Sequence, residues 1–149
     1  MSKENLAALR LRAAVGSANV EVVRRAFECW REGDYDALLE FFLSTSAPDV
    51  ELHSRIAGLA GEPFRGHDGL RTWLWEIQDN FERFEPWLDD ARDARNDRVV
   101  ALGGISFTAG GVDMDTPMGW VQEFRDGLLR CMHFYRSPEE ALEAVGMEK

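Results

Sequence analysis

Apolar positions recur at helical spacing from Asn19 onward. Val20, Val23, Phe27 and Trp30 fall on one face, and Glu21, Arg24, Arg25, Glu28 and Arg31 on the other. Asn19 is placed to cap this helix and Gly33 to stop it. Asp34 opens a second helix carrying Tyr35, Leu38, Leu39 and Phe42, and so short a joint requires a hairpin or a sharp corner. Residues 1–18 read as an N-terminal extension. They form either a short helix over Leu6, Leu9 and Ala13 that Gly16-Ser17 ends, or a disordered segment.

Beyond the polar stretch Ser44–Pro48 the period changes. Residues Asp49 to Arg55 alternate as a short strand, with Glu51, His53 and Arg55 on one face and Val50, Leu52 and Ser54 on the other. A Gly-rich loop from Gly58 to Gly66 leads into a third helix, His67 to Phe81, with Leu70, Trp73, Leu74 and Ile77 on one side. Four long strands follow at 84–95, 98–109, 113–124 and 128–136. Asn96-Asp97, Gly110-Gly111 and Asp126-Gly127 supply the tight turns between them. Gly103-Gly104 and Pro117 predict bulges or bends within those strands. Ser137-Pro138-Glu139-Glu140 is a capping box that opens a short last helix, ended by Gly146. The pattern predicts an α+β fold: three N-terminal helices packed on a strongly curved antiparallel sheet, with a short C-terminal helix, the whole enclosing a cone with a mouth. The domain runs over residues 19–146.

Composition narrows the picture only slightly. The 149 residues suit one domain, and 45% hydrophobic with 30% charged residues is an ordinary globular balance. With 17 Lys plus Arg against 27 Asp plus Glu, the net charge of −10 works against nucleic acid and anionic membrane surfaces. No apolar run is long enough to span a bilayer, and arginines interrupt the N-terminal apolar stretch, so a cytoplasmic location is expected. Cys29 and Cys131 share no local motif and read as two free thiols rather than a bridge. The histidines are scattered without a metal-ligand spacing, so no metal site is expected, and no phosphate loop or nucleophile elbow points to a cofactor.

Several segments together resemble the SnoaL-like proteins of the nuclear-transport-factor-like superfamily. They are Phe27 to Leu39, Pro48 to Ser54, Phe64 to Trp73, and Arg125-Asp126-Gly127 through Tyr135 to Ala144. The resemblance spans residues 19 to 146. It implies the cone-shaped fold, a pocket for a small hydrophobic ligand inside it, and a homodimer through the outer sheet face. The superfamily holds polyketide cyclases, ketosteroid isomerase, scytalone dehydratase and limonene epoxide hydrolase, so one scaffold serves many reactions.

Carried over residue by residue, the resemblance places His53 where ketosteroid isomerases keep their aspartate base. An imidazole facing an apolar pocket suits proton transfer near neutral pH. The other isomerase groups do not carry over. Ala26 stands at the position of the oxyanion-hole tyrosine and Trp120 at that of the neutral aspartic acid. The acidic residue of SnoaL-type cyclases is missing from Met132-His133-Phe134-Tyr135. The same alignment turns Trp120, Gln122 and Phe124 inward, with Met132 and Phe134, and leaves Cys131, His133 and Tyr135 outward. Together with Phe27, Trp30 and Trp73 these inward residues either fill a core or line a narrowed cavity, in which Trp120 and Gln122 would orient a carbonyl or hydroxyl. Two functions stand. One is cofactor-free acid–base catalysis at His53, of isomerase, dehydratase, cyclase or epoxide hydrolase type. The other is a non-catalytic small-molecule-binding or dimerisation module.

Overall fold

A computed structural model describes residues 3–54 and 61–147. Its elements are α1 (Lys3–Glu32), α2 (Tyr35–Thr45), β1 (Ser46–His53), β2 (Phe64–Arg65), α3 (Gly66–Asn80), β3 (Arg83–Asp93), β4 (Arg98–Ala109), β5 (Val112–Arg125), β6 (Leu128–Tyr135) and α4 (Pro138–Ala144). They form an α+β fold around one six-stranded sheet of order β2-β1-β6-β5-β4-β3. None of the helices is long and apolar enough to cross a membrane.

The expected corner between α1 and α2 is built by two adjacent residues. Gly33 takes a φ of +75°, and its N–H donates to the Trp30 carbonyl at 3.2 Å, which closes α1. Asp34 Oδ1 then accepts from the Ala37 N–H at 3.1 Å and caps α2. At the far end, Ser137 Oγ accepts from the Glu140 N–H at 3.2 Å. The Glu140 carboxylate reaches back to the Arg136 N–H, also at 3.2 Å. The hairpin turns follow the sequence as well: Asp126 and Gly127 have φ of 54° and 79°, and Gly110 and Gly111 have 58° and 78°.

Four expectations need correction. First, α1 does not stop at Gly16-Ser17 but runs unbroken from Lys3 to Glu32, with Asn19 buried inside it rather than capping it. A Cβ at Gly16 would collide with the Asp93 carboxylate, so this glycine lets the helix lie close against β3 instead of ending it. Second, the sheet is mixed. β1 pairs with β6 in parallel, through Glu51↔Cys131, Leu52↔Met132 and His53↔His133.

Third, the sheet is not strongly curled into a cone. Gly103-Gly104 and Pro117 do not bulge, and β4 and β5 pair without a break across them. The register shifts lie instead between Leu88 and Asp90, between Glu123 and Phe124, and between Ser46 and Glu51 where β1 pairs with β6. Fourth, only two helices precede the sheet, and the third, α3, follows β1 and β2. β1 also begins earlier than expected, at Ser46, because Ser46 and Ala47 are buried against the core. Arg55, assigned to the face of His53, lies outside the described residues, as do residues 58–60 of the Gly-rich loop.

The three large helices cover one face of the sheet. The core there joins Val23 and Trp30 of α1, Leu38 and Phe42 of α2, and Leu70, Trp73 and Ile77 of α3 to inward residues of the strands. On the other face, α4 packs a smaller cluster, with Ala141 and Leu142 on Val100, Leu102 and Val121. Gly119 makes that seat: a Cβ there would meet Ala141 Cβ at 2.5 Å and the Ser137 carbonyl at 2.9 Å.

Candidate functional site

Between α1, α2 and the inner face of β5 and β6 the core does not close completely. A cavity of about 50 Å³ remains. Helical spacing brings Ala26, Phe27 and Trp30 to it from α1, and α3 contributes Trp73. Strand alternation brings Trp120, Gln122 and Phe124 from β5 and Met132 and Phe134 from β6. Phe27, Trp30, Trp73, Trp120, Gln122, Met132 and Phe134 are thus gathered around one space. Phe41, Phe42 and Thr45 of α2, Pro86 of β3 and Leu129 of β6 also reach it without having been singled out. The apolar stripe of α2 marks Phe42, but nothing in the local pattern marks Pro86.

The aromatic rings interlock edge to face. Phe27 meets Trp120 at 5.1 Å between centroids, Trp120 meets Phe134 at 6.0 Å, Phe134 meets Trp73 at 6.0 Å, and Trp73 meets Trp30 at 5.9 Å. Such pairs add roughly 0.5–1.5 kcal/mol each beyond their burial and hold the wall in one arrangement.

Two of the lining residues carry a buried polar atom without a partner. Trp73 Nε1 and Gln122 Oε1 are both buried, and neither has a hydrogen-bond partner among the described residues. The Gln122 amide nitrogen reaches only Met132 Sδ, at 3.8 Å. An orphaned buried polar atom costs about 1–3 kcal/mol; Ser46 Oγ, whose residue does not line the cavity, is a third among the described residues. Of the two in the lining, one is a donor and the other an acceptor. Among the described residues that line the cavity none is an acid, a base or a cysteine.

His53 does not face this cavity. Val50 and Leu52 are the buried positions of β1, so Glu51 and His53 project from the opposite face of the sheet. There the parallel register sets His53 beside His133, with the rings stacked 4.3 Å apart and 15° from coplanar. Cys131 Sγ lies 3.2 Å from His133 Nε2. Glu51 Oε1 is 3.6 Å from His53 Nε2, and Glu123 Oε2 is 4.0 Å from His133 Nε2. Arg65 also holds Glu51, at 3.0 Å. Burial pushes the Cys131 thiol up to about 12, and the nearby Glu123 and Glu51 carboxylates add to the shift. His67, at the start of α3, has its Nε2 3.1 Å from the Ser46 carbonyl.

Comparison with known proteins agrees with this architecture. An NTF2-like protein of unknown function from Burkholderia pseudomallei superposes with a TM-score of 0.70 at 22% identity, over 87% of this chain and 98% of that one. TerC, co-crystallised with polyporic acid, gives 0.68 at 23% identity over 86% and 98% of the two chains. A ketosteroid isomerase-like fold from Catenulispora acidiphila, in complex with trimethylamine, gives 0.65 at 17% identity over 86% and 94%. At these identities the likeness speaks for the fold alone. No match was found among curated proteins. The model of the SnoaL-like domain matches residues 23–132, from the middle of α1 to the cavity-lining Met132, and the chain therefore belongs to the SnoaL-like domain family.

Proposed function

We propose that this SnoaL-like domain binds a small, largely apolar molecule bearing one hydroxyl or carbonyl group, in the cavity beside Phe27, Trp120 and Gln122. The observation that carries this reading is that two residues of its lining, Trp73 and Gln122, carry unpartnered buried atoms, Nε1 and Oε1. A ligand hydroxyl would accept from the indole N–H and donate to the amide oxygen, relieving both. The aromatic faces and edges would hold the apolar part.

Two observations support binding over turnover. Among the described residues the lining holds no acid, base or cysteine, and His53, the base expected from the resemblance, sits on the other side of the sheet. The cavity is also small. Since roughly 10–15 Å³ admits one water, about 50 Å³ has room for a few waters or a compact ligand. A multi-ring substrate of steroid size would have to displace the aromatic wall. Two proteins of the same fold were solved with small molecules, polyporic acid and trimethylamine, which supports small-molecule binding as a use of this scaffold.

Phenol and toluene serve as matched probes, read by fluorescence of the cavity tryptophans. Phenol should bind at least tenfold more tightly than toluene, and Gln122→Leu should abolish that preference. Ala26→Val, which fills the cavity, should weaken both. Equal affinities for the two probes in the wild-type protein would overturn the reading.

A further inference from the structure

Outside the cavity, the densest gathering of potential ligand atoms lies on the opposite face of the sheet, where β1, β6 and β5 run side by side. Residues paired across neighbouring strands project to the same side of a sheet. Cys131 of β6 is flanked by Glu51 on β1 and Glu123 on β5, and one step along the strand His133 is flanked by His53. The grid therefore gathers two imidazoles and one thiol, with a carboxylate at each edge: Glu51 beside His53 and Glu123 beside His133. The ligand atoms of His53, Cys131 and His133 all lie within 4.8 Å of one another.

We propose that His53, Cys131 and His133 form a binding site for a divalent metal ion of the zinc type, with Glu123 as the fourth ligand. The chemistry of the donor set selects the metal. Imidazole nitrogen and thiolate sulfur suit zinc and its neighbours, whereas magnesium and calcium take oxygen ligands.

The distances fit. With metal–nitrogen bonds of about 2.0–2.1 Å and metal–sulfur bonds of about 2.3 Å, the edges of a tetrahedral site are about 3.3–3.7 Å. The Cys131–His133 separation of 3.2 Å lies just below that range and opens by a small side-chain adjustment. Glu123 Oε2 stands 4.0 Å from His133 Nε2 and closes by a side-chain adjustment. Glu51, paired with Arg65, is the outer carboxylate that holds His53.

Access is suitable too. Cys131 is 5% exposed and forms the floor, while the His53 and His133 side chains are each 36% exposed, leaving an entry from solvent. As the sulfur–metal bond forms, the thiol gives up its proton to solvent, and both imidazoles bind through neutral nitrogens. The ion would tie β1 to the β5–β6 hairpin, which lies far along the chain from it.

The test uses tag-free full-length protein stripped with a chelator and titrated with cobalt(II), then with zinc(II) in competition. We expect one cobalt per chain, a thiolate-to-cobalt charge-transfer band in the near ultraviolet, and displacement by zinc. Cys131→Ala should remove the band, and His133→Ala and His53→Gln should each weaken binding at least tenfold. Circular dichroism checks that each variant is folded. His53→Gln, at a half-exposed position, keeps the test decisive if the Cys131 variant is unfolded. A wild-type protein that shows no charge-transfer band overturns the site, as does cobalt affinity unchanged in folded Cys131→Ala or His53→Gln.

Discussion

Gln122 on β5 stands directly opposite Met132 on β6, and its amide nitrogen finds only the Met132 thioether, at 3.8 Å. The amide oxygen finds nothing among the described residues. A polar side chain that is 4% exposed is therefore held in an apolar wall by the weakest of acceptors. Replacing Gln122 by Leu should raise the stability of the ligand-free protein by about 1 kcal/mol, because the stranded polar group is removed while its volume is kept. Chemical denaturation measures this, and a loss of stability would count against it. The variant that gains stability is the one expected to lose discrimination for a hydroxylated ligand.

Trp73→Phe separates the indole N–H from the ring. The edge-to-face contacts with Trp30 and Phe134 are largely kept, but the unpartnered donor is gone. Affinity for phenol should fall severalfold, with toluene nearly unaffected. Parallel loss for both probes would mean that the ring and not the donor matters.

Gly119→Ala should destabilise the protein by about 1–3 kcal/mol. The added methyl meets Ala141 and the backbone carbonyl of Ser137, which are fixed parts of α4 rather than a mobile side-chain tip. Thermal unfolding would show the loss, and protease sensitivity should appear first at α4.

The two cysteines should differ in reactivity. In chelator-treated protein at pH 8, a thiol whose pKa stands at about 12 is thiolate in only about one molecule in 10⁴. Cys29 is also raised, by burial first and then by Glu32, but it is half-exposed. Alkylation mapped by mass spectrometry should therefore label Cys29 first. The Cys131 rate should climb with each unit of pH, and equal rates at pH 8 would contradict this account.

Asp49 at the start of β1 accepts from Arg125 at the end of β5, at 2.5 Å, and the guanidinium holds its carboxyl below the usual range. A carboxylate lowered by folding contributes stability above its unfolded pKa, about 3.9, and loses it as pH falls through the lower folded value. Arg125→Ala should move the Asp49 midpoint upward in a carbon-13 carboxyl titration. It should also make stability less dependent on pH below about 4. An unmoved midpoint would rule out the pair as the cause.

Much of the fold is legible in the sequence because its signals are local. Apolar residues at helical spacing mark α2 and α3, alternation marks the four long strands, and Asp126-Gly127 needs nothing distant to form its turn. The seven cavity residues outside His53 were legible once each was assigned a strand or helix face. Gly16 is ambiguous in the sequence because the same residue type ends a helix or lets it approach a neighbour, and only the distant Asp93 decides which. The parallel pairing of β1 with β6 has no local signature, so His53 and His133 looked unrelated. The side of His53 was available: Val50 and Leu52 are the apolar set, and alternation alone turns His53 outward. Carrying over an isomerase position turned it inward instead. Cys131-x-His133 on a strand likewise puts two ligand types on one face, a spacing that helix-based metal motifs do not contain.

The place of β1 between β2 and the last strand also sets an order of events in folding. Until β6 has been made, β1 has only the two-residue β2 to pair with, and the hairpins of β3 to β6 must assemble while the inner face of the sheet is still waiting for β1. Closing the loop between β1 and β6 costs entropy before any of the Glu51–Cys131 row is gained. The chain is therefore expected to fold late and cooperatively at this seam, as it leaves the ribosome. A nascent chain arrested before residue 128 should still be open to proteolysis in β1.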